Sequence, residues 1–206
     1  MTPSQRHADI LWLDVTDSTN RYLREASERC DNLSVVAARE QTSGRGQGTH
    51  TWHSQSGMNL LFSILYKPEK LQAKDMILIT CATTLGILDY LGTKGVKARI
   101  KWPNDIWVDD RKICGILIEN KLDGDLIRQS IIGIGFNLNQ DEWPEELPNP
   151  VSLRQLTGDR YELADELEQL VEKIRRRFAS VGDRDGESNL QEEFGKYVFR
   201  LPEGPA

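Results

Sequence analysis

The sequence is poor in cysteine and histidine, with three of each among 206 residues. Cys30, Cys81 and Cys114 are widely spaced and form no CxxC pair, and no cysteine–histidine cluster accompanies them. Neither a disulfide scaffold nor a metal site built from protein side chains is therefore predicted. The pattern favours buried, reduced thiols in a cytoplasmic protein.

Long apolar runs and an excess of basic residues are also missing. No stretch approaches the roughly 20 apolar residues that cross a bilayer, and residues 1–6 lack the basic-then-apolar order of an export signal. Lysine and arginine number 26 against 32 acidic residues, which gives a net charge of −6. Non-specific DNA binding relies on many phosphate contacts, so we expect neither a DNA partner nor a membrane.

Strand-like and helix-like segments follow one another without regular alternation. Strand patterns cover residues 9–15, 33–40, 58–66, 98–103, 105–109, 112–122 and 125–138. Helix patterns cover residues 20–29, 71–91, 161–179 and 188–197, with a linker expected over residues 180–188. This order predicts an α+β fold, with a mixed, mostly antiparallel sheet flanked by helices.

Residues 41–57 form a long loop that is rich in glycine, serine and threonine and contains Gly44-Arg45-Gly46-Gln47-Gly48. Loops longer than about 12–15 residues inside a compact domain are usually functional or disordered. Alternate glycines let backbone N–H groups approach an anion, and an arginine adds a fork that suits carboxylate or phosphate. A plain flexible loop is the alternative, and the pattern is neither a Walker A nor a Rossmann motif.

A second motif, Lys101-Trp102-Pro103-Asn104-Asp105, interrupts the strand patterns. Pro103 lacks a backbone donor and is expected to end a strand. Asn104 and Asp105 then lie at a strand end, where polar side chains can meet a ligand. The alternative is an Asx turn that only shapes the loop.

Further candidates lie in the strands that follow. Lys112 precedes Gly115, and Gly133 and Gly135 precede Asn137. A lysine after a turn is commonly a solvated charge, and glycine within a strand marks either a bulge or close approach of a ligand. Between residues 94 and 121, however, seven basic residues accompany four acidic ones, and this local positive field favours an anionic ligand such as a nucleotide.

Taken in chain order, these motifs resemble the catalytic domain of biotin–protein ligases. The matching segments are Asp17-Ser18-Thr19-Asn20, Gln41 to Gly46, Trp52, Gly57-x-Asn59-Leu60, Lys101 to Asp105, Lys112-x-x-Gly115-Ile116-Leu117 and Gly133-x-Gly135-x-Asn137. The resemblance implies the fold of biotin/lipoate ligase catalytic domains. It also implies ATP-dependent activation of biotin to biotinyl-5′-AMP, transfer of biotin to a lysine of a biotin carboxyl carrier protein, and release of AMP and pyrophosphate.

The resemblance also assigns roles to residues. Biotin-binding residues would be Ser18, Thr19, Asn20, Gln41, Gly44, Arg45, Gly46, Gln47, Lys112 and Gly115. ATP-binding residues would be Arg45, Trp52, Asn59, Lys101, Asn104, Lys112 and Asn137. Arg45 and Lys112 would be catalytic, with Asp105 orienting the incoming lysine amine. Mg²⁺ would accompany ATP, with no protein ligand assigned to it. The expected protein partners are the carrier domain of acetyl-CoA carboxylase and a second copy of the chain in a homodimer.

The sequence departs from the family pattern in three respects. Gln47 stands where the commonest family loop has a second arginine, which predicts weaker retention of biotinyl-AMP unless a residue such as His50 compensates. The catalytic domain is expected over residues 1–182 without an N-terminal DNA-binding domain. Residues 183–206 are expected to form a helix and a tail that leads to a small β-rich domain absent from this chain.

Two other functions remain open. A lipoate or octanoate transferase shares the fold, although the Lys101–Asp105 motif and the loop ending in Trp52 favour biotin. A non-catalytic binder of biotin or nucleotide is the alternative from another class. The presence of Arg45, Lys112 and Asp105 argues against it.

Overall fold

Eight strands form one mixed sheet in a computed structural model that describes residues 10–48, 50–147 and 149–199. The strands are β1 Ile10–Thr16, β2 Val35–Gln41, β3 Leu60–Tyr66, β4 Arg99–Lys101, β5 Asp105–Val108, β6 Arg111–Asp123, β7 Leu126–Phe136 and β8 Val198–Phe199. Their order is β1-β2-β3-β7-β6-β5-β4-β8, and only the outer pairs β1/β2 and β4/β8 are parallel. The predicted mixed, mostly antiparallel sheet is confirmed.

Five helices cover the two faces of the sheet unequally. They are α1 Thr19–Ala26, α2 Ile77–Thr93, α3 Leu153–Thr157, α4 Leu163–Phe178 and α5 Arg184–Tyr197. Helix α2 packs against α4 and α5, and these helices and one face of the sheet form the main hydrophobic core. Helix α1 packs on the other face, against β2, β3 and β7, through a small cluster around Leu23.

Strand alternation assigns side chains to the two faces. In β3, Phe62 belongs to the main core, whereas its neighbour Ser63 contacts helix α1. In β7, Ile134 belongs to the same core, whereas Gly133 and Gly135 face the α1 side. Successive side chains of a strand point to opposite faces, so the α1 face carries small and polar residues at these positions, beside the cluster around Leu23.

Helix α2 and the turn before it are long and apolar enough to cross a membrane by length and composition. Inside the domain, however, 61% of that apolar window is buried. A side chain at Gly86 would lie 2.6 Å from the Cα atom of Ile174, so α2 and α4 pack with their backbones close together. The helix is therefore a core element, and its apolar composition reflects burial on all sides.

The structure differs from the sequence-based expectations mainly near the C-terminal end. Helix α5 begins at Arg184, so the linker expected over residues 180–188 is shorter than predicted. Strand β8 and the short helix α3, whose Ser152 and Gln155 form a capping box, were not predicted. Ser18 is the N-cap residue of helix α1, but its side chain makes no capping hydrogen bond.

The expected domain division at residue 182 stays a prediction. Within the described residues, Leu190 and Phe194 of α5 are buried in the same core as the sheet. Residues 1–9 and 200–206 lie outside the described residues, and with them lie the start of the expected first strand and the tail.

Candidate active site

The glycine-rich loop folds into a short hairpin, here called the flap, formed by residues 44–48 and 50–52. Arg45 pairs with Thr51 in an antiparallel bridge. The N–H of Gly46 donates to the carbonyl of His50 at 2.7 Å, and the N–H of Trp52 donates to the carbonyl of Gly44 at 3.0 Å. The middle of the loop predicted over residues 41–57 is thus a hairpin, with Gln47 and Gly48 close to its tip.

Glycines of β6 and β7 form a floor beneath the flap. A side chain at Gly115 would lie 2.6 Å from the Trp52 ring, and one at Gly135 would overlap the same ring. One at Gly133 would overlap the side-chain amide of Asn20. The β7 glycines therefore mark a close approach rather than a bulge, and the approaching groups are the indole and amide of the protein itself.

A β-bulge between β5 and β6 brings the charged residues onto the same face. Ile106 pairs with Cys114, yet Trp107 pairs with Lys112, so one extra residue of β6 lies between them. Ile113 and Cys114 are both fully buried. In a regular strand, Lys112 and Gly115 would face opposite sides, because they are three residues apart. The bulge turns Lys112 to the side of Gly115 and Asp105.

Two cavities meet beneath the flap. The first has a volume of about 280 Å³ and is lined by Ser18, Thr19, Asn20, Gln41, Arg45, Gly46, Gln47, Asn104, Gly115 and Gly133, among others. The second has a volume of about 290 Å³ and is lined by His53, Trp107, Asn137, Trp143, Leu147 and Pro150. Residues common to both walls are His50, Thr51, Trp52, Lys101, Asp105 and Lys112.

The shared wall contains an ion pair stacked on an aromatic ring. Lys112 Nζ lies 2.7 Å from Asp105 Oδ1, and it lies 5.4 Å from the centre of the Trp52 ring. Arg45 lines the first cavity together with Lys112. The two cations singled out in the sequence therefore face one hollow.

The inner end of the first cavity is a connected polar network. Gln41 Oε1 accepts hydrogen bonds from the N–H of Thr19 at 2.8 Å and from its hydroxyl at 3.1 Å. Ser63 Oγ lies 2.7 Å from Thr19 Oγ1 and 2.6 Å from Asn20 Oδ1. Ser63 is fully buried in β3 and was not predicted as a site residue. These bonds fix the orientations of the side chains that face the cavity.

Glu119 joins this network to the flap. Its carboxylate accepts from Asn20 Nδ2 at 2.8 Å, and both of its oxygens lie 3.0 Å from Arg45 Nη2. Arg24 of α1 donates to the same carboxylate. Burial acts to raise the pKa of Glu119, but the Asn20 hydrogen bond and the two guanidinium groups outweigh it and lower that pKa.

Sequence reasoning missed Glu119, although a signal was present. It follows Gly115 by four residues on the same strand, so the two-residue period places it on the site face. Only the pairing of β6 with β7 and the position of α1 reveal that it faces Asn20.

The second cavity contrasts with the first because buried polar atoms lack partners there. Among the described residues, four buried side-chain polar atoms have no hydrogen-bond partner. Two of them, Trp107 Nε1 and Asn137 Oδ1, belong to residues that line this cavity alone, and a third, Trp52 Nε1, belongs to the shared wall. The amide nitrogen of Asn137 donates to the carbonyls of Lys112 and Val151, and its buried oxygen has no hydrogen-bond partner in the protein.

Two predicted ligand-binding residues line neither cavity. Asn59 is buried, donates to Gln140 Oε1 at 2.6 Å, and accepts from the N–H of Leu138 at 3.0 Å. A side chain at Gly44 would lie 2.8 Å from the carbonyl oxygen of Trp52. Both residues hold the backbone around the site. Their direct contact with a ligand stays a prediction.

Asn104 lines the first cavity, whereas the resemblance had placed it with the nucleotide. Its side-chain amide donates to the carbonyl of Ile116 at 2.8 Å. Lys101 lines both cavities, and its ammonium lies 4.6 Å from the centre of the Trp107 ring.

The described residues contain no cluster of three or more His, Cys, Asp or Glu side chains that suits a metal ion. None of the three cysteines forms a disulfide. Burial raises the pKa of Cys81 to about 12 and also raises that of Cys114, which lies behind the cavity floor. Both thiols are therefore neutral at physiological pH and unsuited to act as nucleophiles.

Comparisons with known proteins agree with this geometry. The model of the Biotin/lipoate A/B protein ligase family matches residues 12–137. The chain is 32% identical over 173 residues to the Bifunctional ligase/repressor BirA of Bacillus spizizenii, covering 82% of this chain and 53% of that protein. It is 34% identical over 126 residues to the Biotin–[acetyl-CoA-carboxylase] ligase of Paracoccus denitrificans, covering 60% of this chain and 52% of the relative. The chain thus spans about half the length of these relatives.

Solved structures show the same architecture. The biotin protein ligase from Aquifex aeolicus in complex with biotin and ATP superposes with a TM-score of 0.81 and 26% identity, covering 95% of this chain and 80% of that one. The biotin protein ligase from Leishmania major in complex with biotinyl-5-AMP gives 0.71 and 25%, with coverages of 96% and 87%. By the family match over residues 12–137 and the shared fold, this chain belongs to the biotin/lipoate A/B protein ligase family.

Proposed function

We propose that this chain is an ATP-dependent ligase that activates biotin to biotinyl-5′-AMP and transfers biotin to a lysine of a biotin carboxyl carrier protein. The observation that carries the proposal is the meeting of two cavities at Lys112, Asp105 and Trp52. Relatives named as biotin ligases, and similar structures that hold biotin, ATP or biotinyl-5-AMP, support it.

The first cavity suits biotin. The fused ureido ring of biotin has two N–H donors and one carbonyl acceptor, and the cavity ends in a polar network around Thr19 and Gln41. The glycine floor and the Trp52 ring offer apolar surface for the rest of the bicycle. The acid tail then extends toward Lys112 in the shared wall.

The second cavity suits an adenine nucleotide. Three tryptophans line it, and their faces can stack on a purine. Asn137 Oδ1 is a buried acceptor without a partner, and the exocyclic amine of adenine supplies the missing donor.

In the first half-reaction, a carboxylate oxygen of biotin attacks the α-phosphorus of ATP, and the bond to pyrophosphate breaks. The reacting groups are both anionic, so they repel each other. Lys112 in the shared wall and Arg45 in the flap offset this repulsion and stabilise the charge that develops at the α-phosphate. The flap then excludes water from a mixed anhydride that water would hydrolyse.

Within the part of the chain that the structure describes, no group of side chains forms a metal centre for this step. Asp105 is the one carboxylate among the residues named for the two cavity walls, and it is paired with Lys112. Mg²⁺ binds through phosphate oxygens and water in many nucleotide sites, so we propose that it enters with ATP, where it neutralises phosphate charge. No protein ligand is assigned to it.

In the second half-reaction, the amine nitrogen of the carrier lysine attacks the acyl carbon, AMP leaves, and the new amide nitrogen loses its proton. Once the anions of the adenylate engage Lys112, the Asp105 carboxylate becomes available to orient the incoming ammonium group. We also assign Asp105 as the proton acceptor, because its carboxylate lies in the shared wall beside Lys112. The amine must lose a proton before it attacks.

The test is to incubate the chain with ATP, Mg²⁺, biotin and an apo carrier domain of acetyl-CoA carboxylase, and to measure the mass of the carrier. We expect the mass of one biotinyl group on one lysine. A parallel reaction with lipoate tests the related transferase activity. Mass added from lipoate but not from biotin would contradict the proposal, and an unmodified carrier with bound biotin would favour a non-catalytic binder.

Cytoplasmic location and homodimer formation belong to the same proposal. Three cysteines without disulfides suit a reducing compartment. Sedimentation with and without biotin and ATP would test the dimer.

A further inference from the structure

Glu119 occupies a position where strand, helix and flap meet. It lies on the site face of β6, two residues beyond Leu117, which lines the first cavity. Its side chain is about a quarter exposed, with 26% of its surface accessible. A carboxylate in such a place needs several donors to offset its partial burial.

Three donors from two separate segments meet this carboxylate. Asn20 and Arg24 come from helix α1, and Arg45 comes from the flap. Both contacts with Arg45 are made to Nη2, so the other guanidinium nitrogens of Arg45 can meet a ligand anion. One guanidinium group can thus contact the protein and the substrate together.

The flap has few other means of attachment to the sheet. Its residues are glycine, threonine, histidine, glutamine, arginine and one tryptophan, so little apolar area is available for burial. Trp52 rests on the glycine floor at one end of the hairpin. Arg45, which pairs with Thr51 across the hairpin, contacts Glu119 of β6. This ion pair attaches the rest of the hairpin to β6.

Removal of the Glu119 charge would do more than break one ion pair. Arg24 and Arg45 both contact Glu119 Oε1, so the carboxylate separates two guanidinium groups. Without it, these like charges face each other at short range. The flap is the segment that can move, since α1 is packed against the sheet.

We propose that Glu119 is a positioning residue that acts through Arg45 and keeps the flap closed over the acyl-adenylate between the two half-reactions. The effect of Glu119 on retention of the adenylate rests on the proposed function. The closing of the flap itself is independent of any ligand.

Hydrogen exchange of the ligand-free chain tests the closing directly. The reporters are the amides of Gly46 and Trp52, which are hydrogen-bonded within the flap. Glu119→Gln should reduce their protection about tenfold, because the ion pair with Arg45 becomes a hydrogen bond to an uncharged amide. Arg24→Gln is the matched control, since it removes the other guanidinium and should change protection less than twofold. Unchanged protection in Glu119→Gln, or equal loss in both variants, would overturn the inference.

The second readout is the rate at which preformed biotinyl-AMP is released. It is measured by rapid filtration of the chain loaded with labelled biotin. Glu119→Gln should release it about tenfold faster, and Arg45→Gln combined with Glu119→Gln should be no faster than Arg45→Gln alone. Additive effects would show that Glu119 does not act through Arg45. If the unaltered chain forms no adenylate, the proposed function fails, while the exchange result still decides whether Glu119 holds the flap.

Discussion

The two cavities beneath the flap differ in how their polar groups are satisfied. In the first, Thr19 bonds to Gln41, buried Ser63 bonds to both Thr19 and Asn20, and Asn20 bonds to Glu119. In the second, two buried polar atoms of residues that line it alone, Trp107 Nε1 and Asn137 Oδ1, have no protein partner. The first cavity is therefore organised before a ligand arrives. The second has hydrogen-bonding groups that only a ligand or water can satisfy.

This difference suggests how an enzyme can bind two substrates in adjoining cavities. A network with fixed side chains recognises one small, rigid ligand with little entropic cost of ordering. Unpaired donors and acceptors favour a ligand that presents the complementary pattern, and they disfavour analogues that leave them unpaired. The shared wall lies between the two cavities, so changes there should affect both ligands.

The largest effect is expected from the shared wall. Lys112→Met removes the ammonium group that offsets the carboxylate and the α-phosphate, and should slow adenylate formation roughly 10³-fold. Pyrophosphate release measures the rate. Lys121→Met on the same strand is the control, because Lys121 lies at the exposed end of β6 and pairs only loosely with Glu28, at 3.8 Å. A Lys112→Met rate within tenfold of the unaltered chain would contradict the proposed chemistry.

Substitutions of the two β7 glycines should affect the two cavities differently. Gly135→Ala forces Trp52 away from the shared wall, and should reduce adenylate formation about 100-fold through misplacement of both substrates. Gly133→Ala displaces Asn20 instead, so it should raise KM for biotin while KM for ATP changes less than twofold. Gly195→Ala, which places its methyl group in open space, is the control. Equal effects of the two floor substitutions on both ligands would remove the distinction between the cavities.

A nucleotide analogue tests the assignment of the second cavity to ATP. Inosine triphosphate presents an oxygen where adenine has its amine, so an acceptor would face Asn137 Oδ1. We expect KM to rise about tenfold relative to ATP, with KM for biotin unchanged. Trp107→Phe should add a separate loss for both nucleotides, since it removes the indole N–H together with part of the stacking surface. Equal KM values for inosine and adenosine triphosphate would contradict the assignment of Asn137.

A smaller effect is expected at the tip of the flap. Gln47 lines the first cavity beside Arg45. Gln47→Arg adds a cation near the adenylate and should slow its release about threefold, as expected of a partly exposed charge. Gln47→Met serves as the control for side-chain length. An unchanged release rate would show that Gln47 does not limit retention, and faster release in His50→Ala would then assign the compensating role to His50.

The smallest effect concerns stability in acid. The folded pKa of Glu119 is lowered, so this carboxylate contributes stability above its unfolded pKa, and the contribution disappears as pH falls through the folded pKa. The difference in free energy of unfolding between the unaltered chain and Glu119→Gln should be about 1 kcal/mol or less, given the exposure of the group. It should be constant near neutral pH and vanish in strong acid. A difference that grows on acidification would contradict the lowered pKa.

The sequence alone determined much of the fold because the local patterns are strong. The β-branched and apolar runs of β2, β3 and β7 and the periodic helix α4 were predicted within a few residues. The short elements were missed, since β8 has two residues and α3 has five. Elements of that length are stabilised by their tertiary partners rather than by local pattern.

The sequence alone identified many of the site residues, because they stand in short local motifs. These are the glycine pair of β7, the lysine near a glycine in β6 and the arginine between two glycines of the flap. Tertiary structure decided which of them share a face. The bulge after Ile106 turned Lys112 toward Asp105, and Glu119 became a site residue only when α1 and the flap brought donors to it. Strand register and helix packing join residues that are nearly 100 positions apart, and no sequence window of local length contains that information.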